Sequence, residues 1–130
     1  MSARKKLLFI NEYGIYPELI QALQQETDFE VTVEHLMRKA ISFIKKNAPA
    51  VVVAEFVHEP QFRDRVSNLE SMLAQVEGRN KGTRTVVLYD PDRQEYLDKV
   101  RAVFHIDAVL PKPVEPAVLL ATIEALTAAD

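Results

Sequence analysis

The sequence predicts an α/β fold, a three-layer doubly wound parallel sheet with helices on both faces. Three observations carry this. Short apolar runs alternate with stretches of helical periodicity five times along the chain. The runs at 7–10 (Leu-Leu-Phe-Ile) and 51–54 (Val-Val-Val-Ala) are apolar at every position, as strands covered by helices on both sides must be. Polar residues collect at the carboxyl ends of these runs, where such sheets bind ligands.

The elements follow in order. Residues 7–10 form the first strand, and Asn11-Glu12-Tyr13-Gly14 a polar, flexible loop. Pro17 suits a first helical position, where its missing N–H costs nothing. Leu19, Ile20 and Leu23 give that helix its stripe, and Asp28 ends it. Residues 29–33 alternate apolar and polar, as a strand nearer a sheet edge does. Leu36, Met37, Ala40, Ile41 and Ile44 mark a second helix, closed by Lys45-Lys46-Asn47. Pro49 blocks its continuation, and 50–54 is the third strand. Val66, Leu69, Leu73 and Val76 mark a third helix ending at Glu77-Gly78, followed by a basic loop over 79–84. Residues 85–88 are the fourth strand. Asp92 and Glu95 form a D-x-x-E cap on a fourth helix carrying Leu97, Val100 and Phe104. Residues 108–110 are the fifth strand, and Pro116 opens a last helix reaching about Ala128.

The chain of 130 residues is sized for one domain, 1–130, with one core. Hydrophobic residues make 48% and charged residues 27%, a globular mix. The net charge of −3 gives no pull towards nucleic acid or anionic membrane. With no cysteine there is no disulfide, thiolate catalysis or Cys-ligated zinc, which fits a cytoplasmic protein. No apolar run approaches the roughly 18 residues of a membrane span. Three glycines and no G-x-G-x-x-G leave no dinucleotide site.

Four strand ends carry the chemistry: Asn11-Glu12, Glu55, Tyr89-Asp90 and Lys112-Pro113. With these lined up, the chain resembles the receiver domain of bacterial two-component response regulators. That resemblance implies a flavodoxin-like sheet of strand order 2-1-3-4-5. It also implies an acidic pair after strand one and a phospho-acceptor Asp after strand three. A Ser or Thr follows strand four, and Lys-Pro follows strand five. In that family the acids hold Mg²⁺, while the hydroxyl and lysine grip the phosphoryl group. Here Glu12 matches the second acid and Lys112-Pro113 matches fully. Asn11, Glu55 and Tyr89 replace the first acid, the acceptor and the hydroxyl. The resemblance further implies a cis Lys112–Pro113 peptide.

These departures weaken the phosphate chemistry. Glutamate is one methylene longer than aspartate, and in-line transfer tolerates little displacement. Asn11 removes a charge from the cation site, so any Mg²⁺ on Glu12 and Glu55 is expected to be weakly held. Tyr89 is bulky where a small hydroxyl must move. The expectation is a stand-alone pseudo-receiver without catalytic residues, with Lys112 directed at Glu55 or Glu12. It would act through protein partners such as a histidine kinase or an output protein. The alternatives are a phosphorylatable receiver with an atypical pocket, or a small flavodoxin-like enzyme.

Two further features bear on binding. His58 and Glu59 lie just after Glu55 and, with Glu12, have the residue types of a metal site, although a polar surface loop explains them more simply. The last helix carries Leu119, Leu120, Ile123 and Leu126 on one side and Val118, Ala121, Ala125 and Ala128 on the other. High helix propensity explains alanines. The sharper expectation is an interface, a homodimer or partner contact through helices four and five. Arg79, Lys81 and Arg84 form a small basic cluster, read as a solvated loop or a contact for an acidic partner.

Overall fold

The computed structural model describes residues 4–62 and 65–128. Its elements are β1 (Lys6–Ile10), α1 (Pro17–Glu26), β2 (Glu30–Glu34), α2 (Met37–Asn47), β3 (Val51–Glu55), α3 (Glu70–Arg79), β4 (Arg84–Tyr89), α4 (Gln94–Arg101), β5 (Ala108–Pro111) and α5 (Pro116–Thr127). A single 3₁₀ turn, Pro91–Arg93, leads into α4. The five strands form one parallel sheet in the order β2-β1-β3-β4-β5. This is the doubly wound architecture expected from the apolar runs, with β3 at its centre and β2 and β5 at its edges.

The period-two alternation of the strands divides the core into two layers. Leu7, Phe9, Val51, Val53, Val86 and Leu88 face one way, against Leu19 and Leu23 of α1 and Leu119 and Ile123 of α5. Leu8, Ile10, Val52, Ala54 and Val87 face the other way, against α2, α3 and α4. Every residue of β3 is buried, which is why 51–54 is an unbroken apolar run. β2 is only partly buried, in keeping with its alternating pattern.

Prolines set two helix starts, Pro17 in α1 and Pro116 in α5. α2 ends where Ala48 turns to φ 44°, in the left-handed region, with its N–H donating to the Ile44 carbonyl.

Four local expectations are corrected. Leu36 is not part of the α2 stripe: it precedes the helix in extended conformation and is half exposed. Val66 lies outside α3, which starts at Glu70 and runs through Gly78 to Arg79. Glu70 turns back to accept from the N–H groups of Val66 and Ser67, at 2.8 and 2.6 Å, and fixes the later start. The D-x-x-E cap of the fourth helix does not form. Asp90 accepts from the Asp92 N–H at 3.1 Å and starts the 3₁₀ turn instead, so α4 begins two residues after Asp92.

Candidate functional site

The carboxyl ends of β1, β3 and β5 meet on one side of the sheet, as parallel topology requires. Glu55, last in β3, continues the alternation of Val51 and Val53 and so belongs to the α1–α5 face. Its side chain is 6% exposed. A buried carboxylate needs partners, and Glu55 has three. Oε1 accepts from the Gly14 N–H at 2.9 Å. Oε2 accepts from the Tyr16 hydroxyl and from the Lys112 ammonium, the latter at 2.7 Å. Lys112 is placed by its own backbone N–H, which donates to the Tyr89 carbonyl at 2.8 Å. The peptide that follows, Lys112–Pro113, is cis.

These contacts shift the titrations. Burial pushes the Glu55 carboxyl upward, but the donors Lys112, Tyr16 and Gly14 together outweigh it and bring the group below its usual value. Burial pushes Lys112 down, and Glu55 and Tyr16 more than reverse this, leaving it raised. The Tyr16 hydroxyl rises from 10.0 to about 12, first through burial and then through its bond to the Glu55 carboxylate. Across the neutral range the set is therefore one anion, one cation and one neutral phenol.

A second buried group supports the first. Asn68 is 6% exposed, and its side chain makes three hydrogen bonds. Its Nδ2 donates to Glu12 Oε1 at 2.8 Å and to the Glu55 backbone carbonyl at 2.9 Å. Its Oδ1 accepts from the Val57 N–H at 2.8 Å. Glu12 is thus tied to the loop after β3, not to Lys112. Asn11 is buried at the end of β1, and its carbonyl lies 2.9 Å from His35 Nδ1. Its Oδ1 has no hydrogen-bond partner among the described residues.

The structure thus brings Glu55 and Lys112 together and places Glu12 and Asn11 beside them. Tyr89 joins only through its backbone. Its ring turns to the opposite face of the sheet and packs in the α2–α3–α4 core, so it does not crowd the pocket as a hydroxyl replacement. Residues 58, 59 and 12 do not form a metal site. His58 stacks on Tyr96 at 3.7 Å between ring centroids, with Nδ1 2.6 Å from the Val66 carbonyl. Among the described residues no cluster of three His, Cys, Asp or Glu side chains could hold a metal ion.

Sequence reasoning missed Tyr16 and Asn68. Tyr16 stands directly before Pro17, so its place at the mouth of α1 was readable, while its reach to Glu55 depended on the loop path. Asn68 lies inside Ser67-Asn68-Leu69-Glu70, an S-x-x-E capping signal that marks a helix start.

The resemblance to receivers implies Mg²⁺, and the residues present do not fit it. Both Glu55 oxygens are engaged by N–H or O–H donors. The Lys112 ammonium, 2.7 Å from Oε2, already balances the charge of that carboxylate. The unpartnered Asn11 oxygen is neutral and offers a weak ligand.

No protein-family model matches the chain, and no curated protein matches it. Solved structures do. A DNA-binding response regulator of the LuxR family from Staphylococcus aureus superposes with a TM-score of 0.72 at 21% identity, covering 93% of this chain and 98% of that one. The chemotaxis protein CheY4 of Vibrio cholerae gives 0.66 at 21% identity, covering 95% and 99%. The signal receiver domain of an HD domain-containing protein from Pseudomonas fluorescens Pf-5 gives 0.72 at 17% identity, covering 98% and 97%. The fold is that of response-regulator receiver domains, over nearly the whole chain.

Proposed function

We propose that this chain is a receiver-like signalling module that works through protein contacts and does not run a phosphorylation cycle. The observation that carries this reading is the saturated Glu55 carboxylate. A carboxylate attacks phosphorus with a free oxygen, in line with the leaving group and beside a metal ion. Glu55 instead spends Oε1 on Gly14 and Oε2 on Tyr16 and Lys112. The Glu55–Lys112 pair also ties the loop after β5 to the end of β3. A phosphoryl–lysine contact would make that link conditional, and on this reading the Glu55–Lys112 pair replaces it. The module then presents one fixed surface to its partners.

That surface, on this reading, is the one built by α4 and α5, where Val118, Ala121, Ala125 and Ala128 are exposed. No helix among the described residues is long and apolar enough to cross a membrane. The module would work in the cytoplasm beside the kinase or output protein it contacts.

Incubation with acetyl phosphate and Mg²⁺, followed by intact-mass measurement, tests the reading. The expected outcome is an unchanged mass and weak Mg²⁺ binding by calorimetry. A stable single phosphoryl adduct mapped to Glu55 would instead establish a phosphorylatable receiver with an unusual acceptor.

A further inference from the structure

The opposite end of the sheet carries a different feature. A groove at the amino-terminal ends of the strands is lined by residues 4–6, 47–50 and 79–83. Five of these residues are cationic, Arg4, Lys5, Lys6, Arg79 and Lys81, and none is acidic. A neighbouring hollow shares Arg79 and adds Lys45. All but Lys6 are exposed. Among the described residues only Lys6 of this set forms an ion pair, with Glu30 at 2.9 Å. Arg4 is held by the backbone carbonyls of Asp28 and Phe29, at 2.9 and 2.6 Å, and with Lys5 it also borders a second hollow that carries Glu26, Asp28 and Glu124.

Part of this charge has a local explanation. Doubly wound topology puts the carboxyl ends of α2 and α3 here, and Lys45 and Arg79 in their last turns complement the helix dipoles. Arg4, Lys5 and Lys81 belong to no helix, so the dipoles do not account for them. The chain as a whole is negative, at −3, so concentrating cations here leaves the remaining surface more acidic than the net value suggests.

We infer that this groove docks an acidic peptide segment of a protein partner. The lining has no aromatic side chain on which a base could stack, and the acidic remainder of the surface repels an extended polyanion. The helix ends facing the groove offer carbonyls, not N–H groups, which disfavours a compact phosphate. A peptide spaces its carboxylates along the groove to meet the cations. This surface lies away from Glu55, and its role does not depend on the state of that pocket.

The test is fluorescence anisotropy with a fluorescein-labelled peptide of alternating Glu and Ser, at low and moderate salt. Two charge-matched variants separate the groove from general attraction. One is Lys5→Glu/Arg79→Glu/Lys81→Glu, and the other is Arg38→Glu/Lys39→Glu/Arg101→Glu, exposed cations elsewhere. The groove variant should weaken binding about tenfold or more, while the control stays within roughly twofold of the wild type. The milder Lys5→Gln/Lys81→Gln pair should give the same ordering with a smaller loss, and circular dichroism checks that each variant is folded. Equal weakening by both triple variants, or no measurable binding at low salt, overturns the proposal. So does tighter, groove-dependent binding of an oligothymidylate of equal charge, which would make the site one for nucleic acid.

Discussion

At Glu55 one added methylene changes what a strand end can do. The longer side chain reaches Gly14, Tyr16 and Lys112 together, and burial makes each partner necessary. Replacing Lys112 with Met leaves a buried carboxylate without its counter-ion. Breaking a fully buried pair costs about 3–5 kcal/mol. Because the Lys112 side chain is 28% exposed, a loss of roughly 2–3 kcal/mol is expected in urea unfolding. Tyr16→Phe removes one hydrogen bond to a charged acceptor and should cost about 1.5–2 kcal/mol in the same measurement. The pH dependence has a definite sign. Glu55 is depressed, so its contribution is full above the ordinary carboxyl value of 4.5 and fades as pH falls through the lower folded value. Tyr16 and Lys112 are raised, so theirs is full below the ordinary 10.0 and 10.5 and fades as pH rises, for Tyr16 through about 12. Thermal midpoints should therefore form a plateau between these limits. In Lys112→Met the acid side should flatten, because the carboxylate loses the partner that keeps it ionised. A wild-type midpoint that climbs steadily on acidification would contradict the pairing.

At the scale of elements, the short segment just ahead of α3 supports the pocket. Asn68 closes it by joining Glu12, the Glu55 carbonyl and the Val57 N–H. Asn68→Ala would leave these groups without their partner, so a loss of about 2–3 kcal/mol is expected. Chemical denaturation with the Asn68→Asp variant alongside provides a check: the aspartate keeps the acceptor for Val57 but sets a negative charge against Glu12. This segment also shows where sequence reading stops. The central strands were legible because burial on both faces leaves no freedom in their composition, as β3 illustrates, while partly buried β2 showed by its alternation. The Glu55–Lys112 meeting was legible because parallel topology puts the ends of β3 and β5 on one side. Tyr16 and Asn68 were not assigned, since their roles depend on loop paths that no period encodes. Tyr89 was misplaced for a related reason. Its place at the carboxyl end of the fourth strand was clear, but it is the last residue of β4, and the face its ring takes follows from alternation with Val87, which belongs to the α2–α3–α4 layer.

At the scale of the whole molecule, charge and exposure sort the surface into distinct regions. The pocket end is closed by hydrogen bonds, the opposite end is basic, and α5 is apolar on its outer side. Leu119 and Ile123 hold α5 to the sheet, which turns Ala121, Ala125 and Val118 outward, the last 48% exposed. Val103, just after α4, is 70% exposed. Small side chains let another helix approach closely, and Val118 provides a projecting knob. A second copy packed against this side would remove apolar surface from water by a symmetric contact. Sedimentation velocity over a concentration series should show reversible self-association of the wild type. Ala125→Glu should shift the population to monomer and leave the thermal midpoint nearly unchanged, because an exposed helical Ala→Glu exchange costs only a few tenths of a kcal/mol. A wild type that stays monomeric at high concentration removes the homodimer and leaves this side to a different protein. If Ala125→Glu then changes capture of no such protein, the alanines serve helix propensity alone.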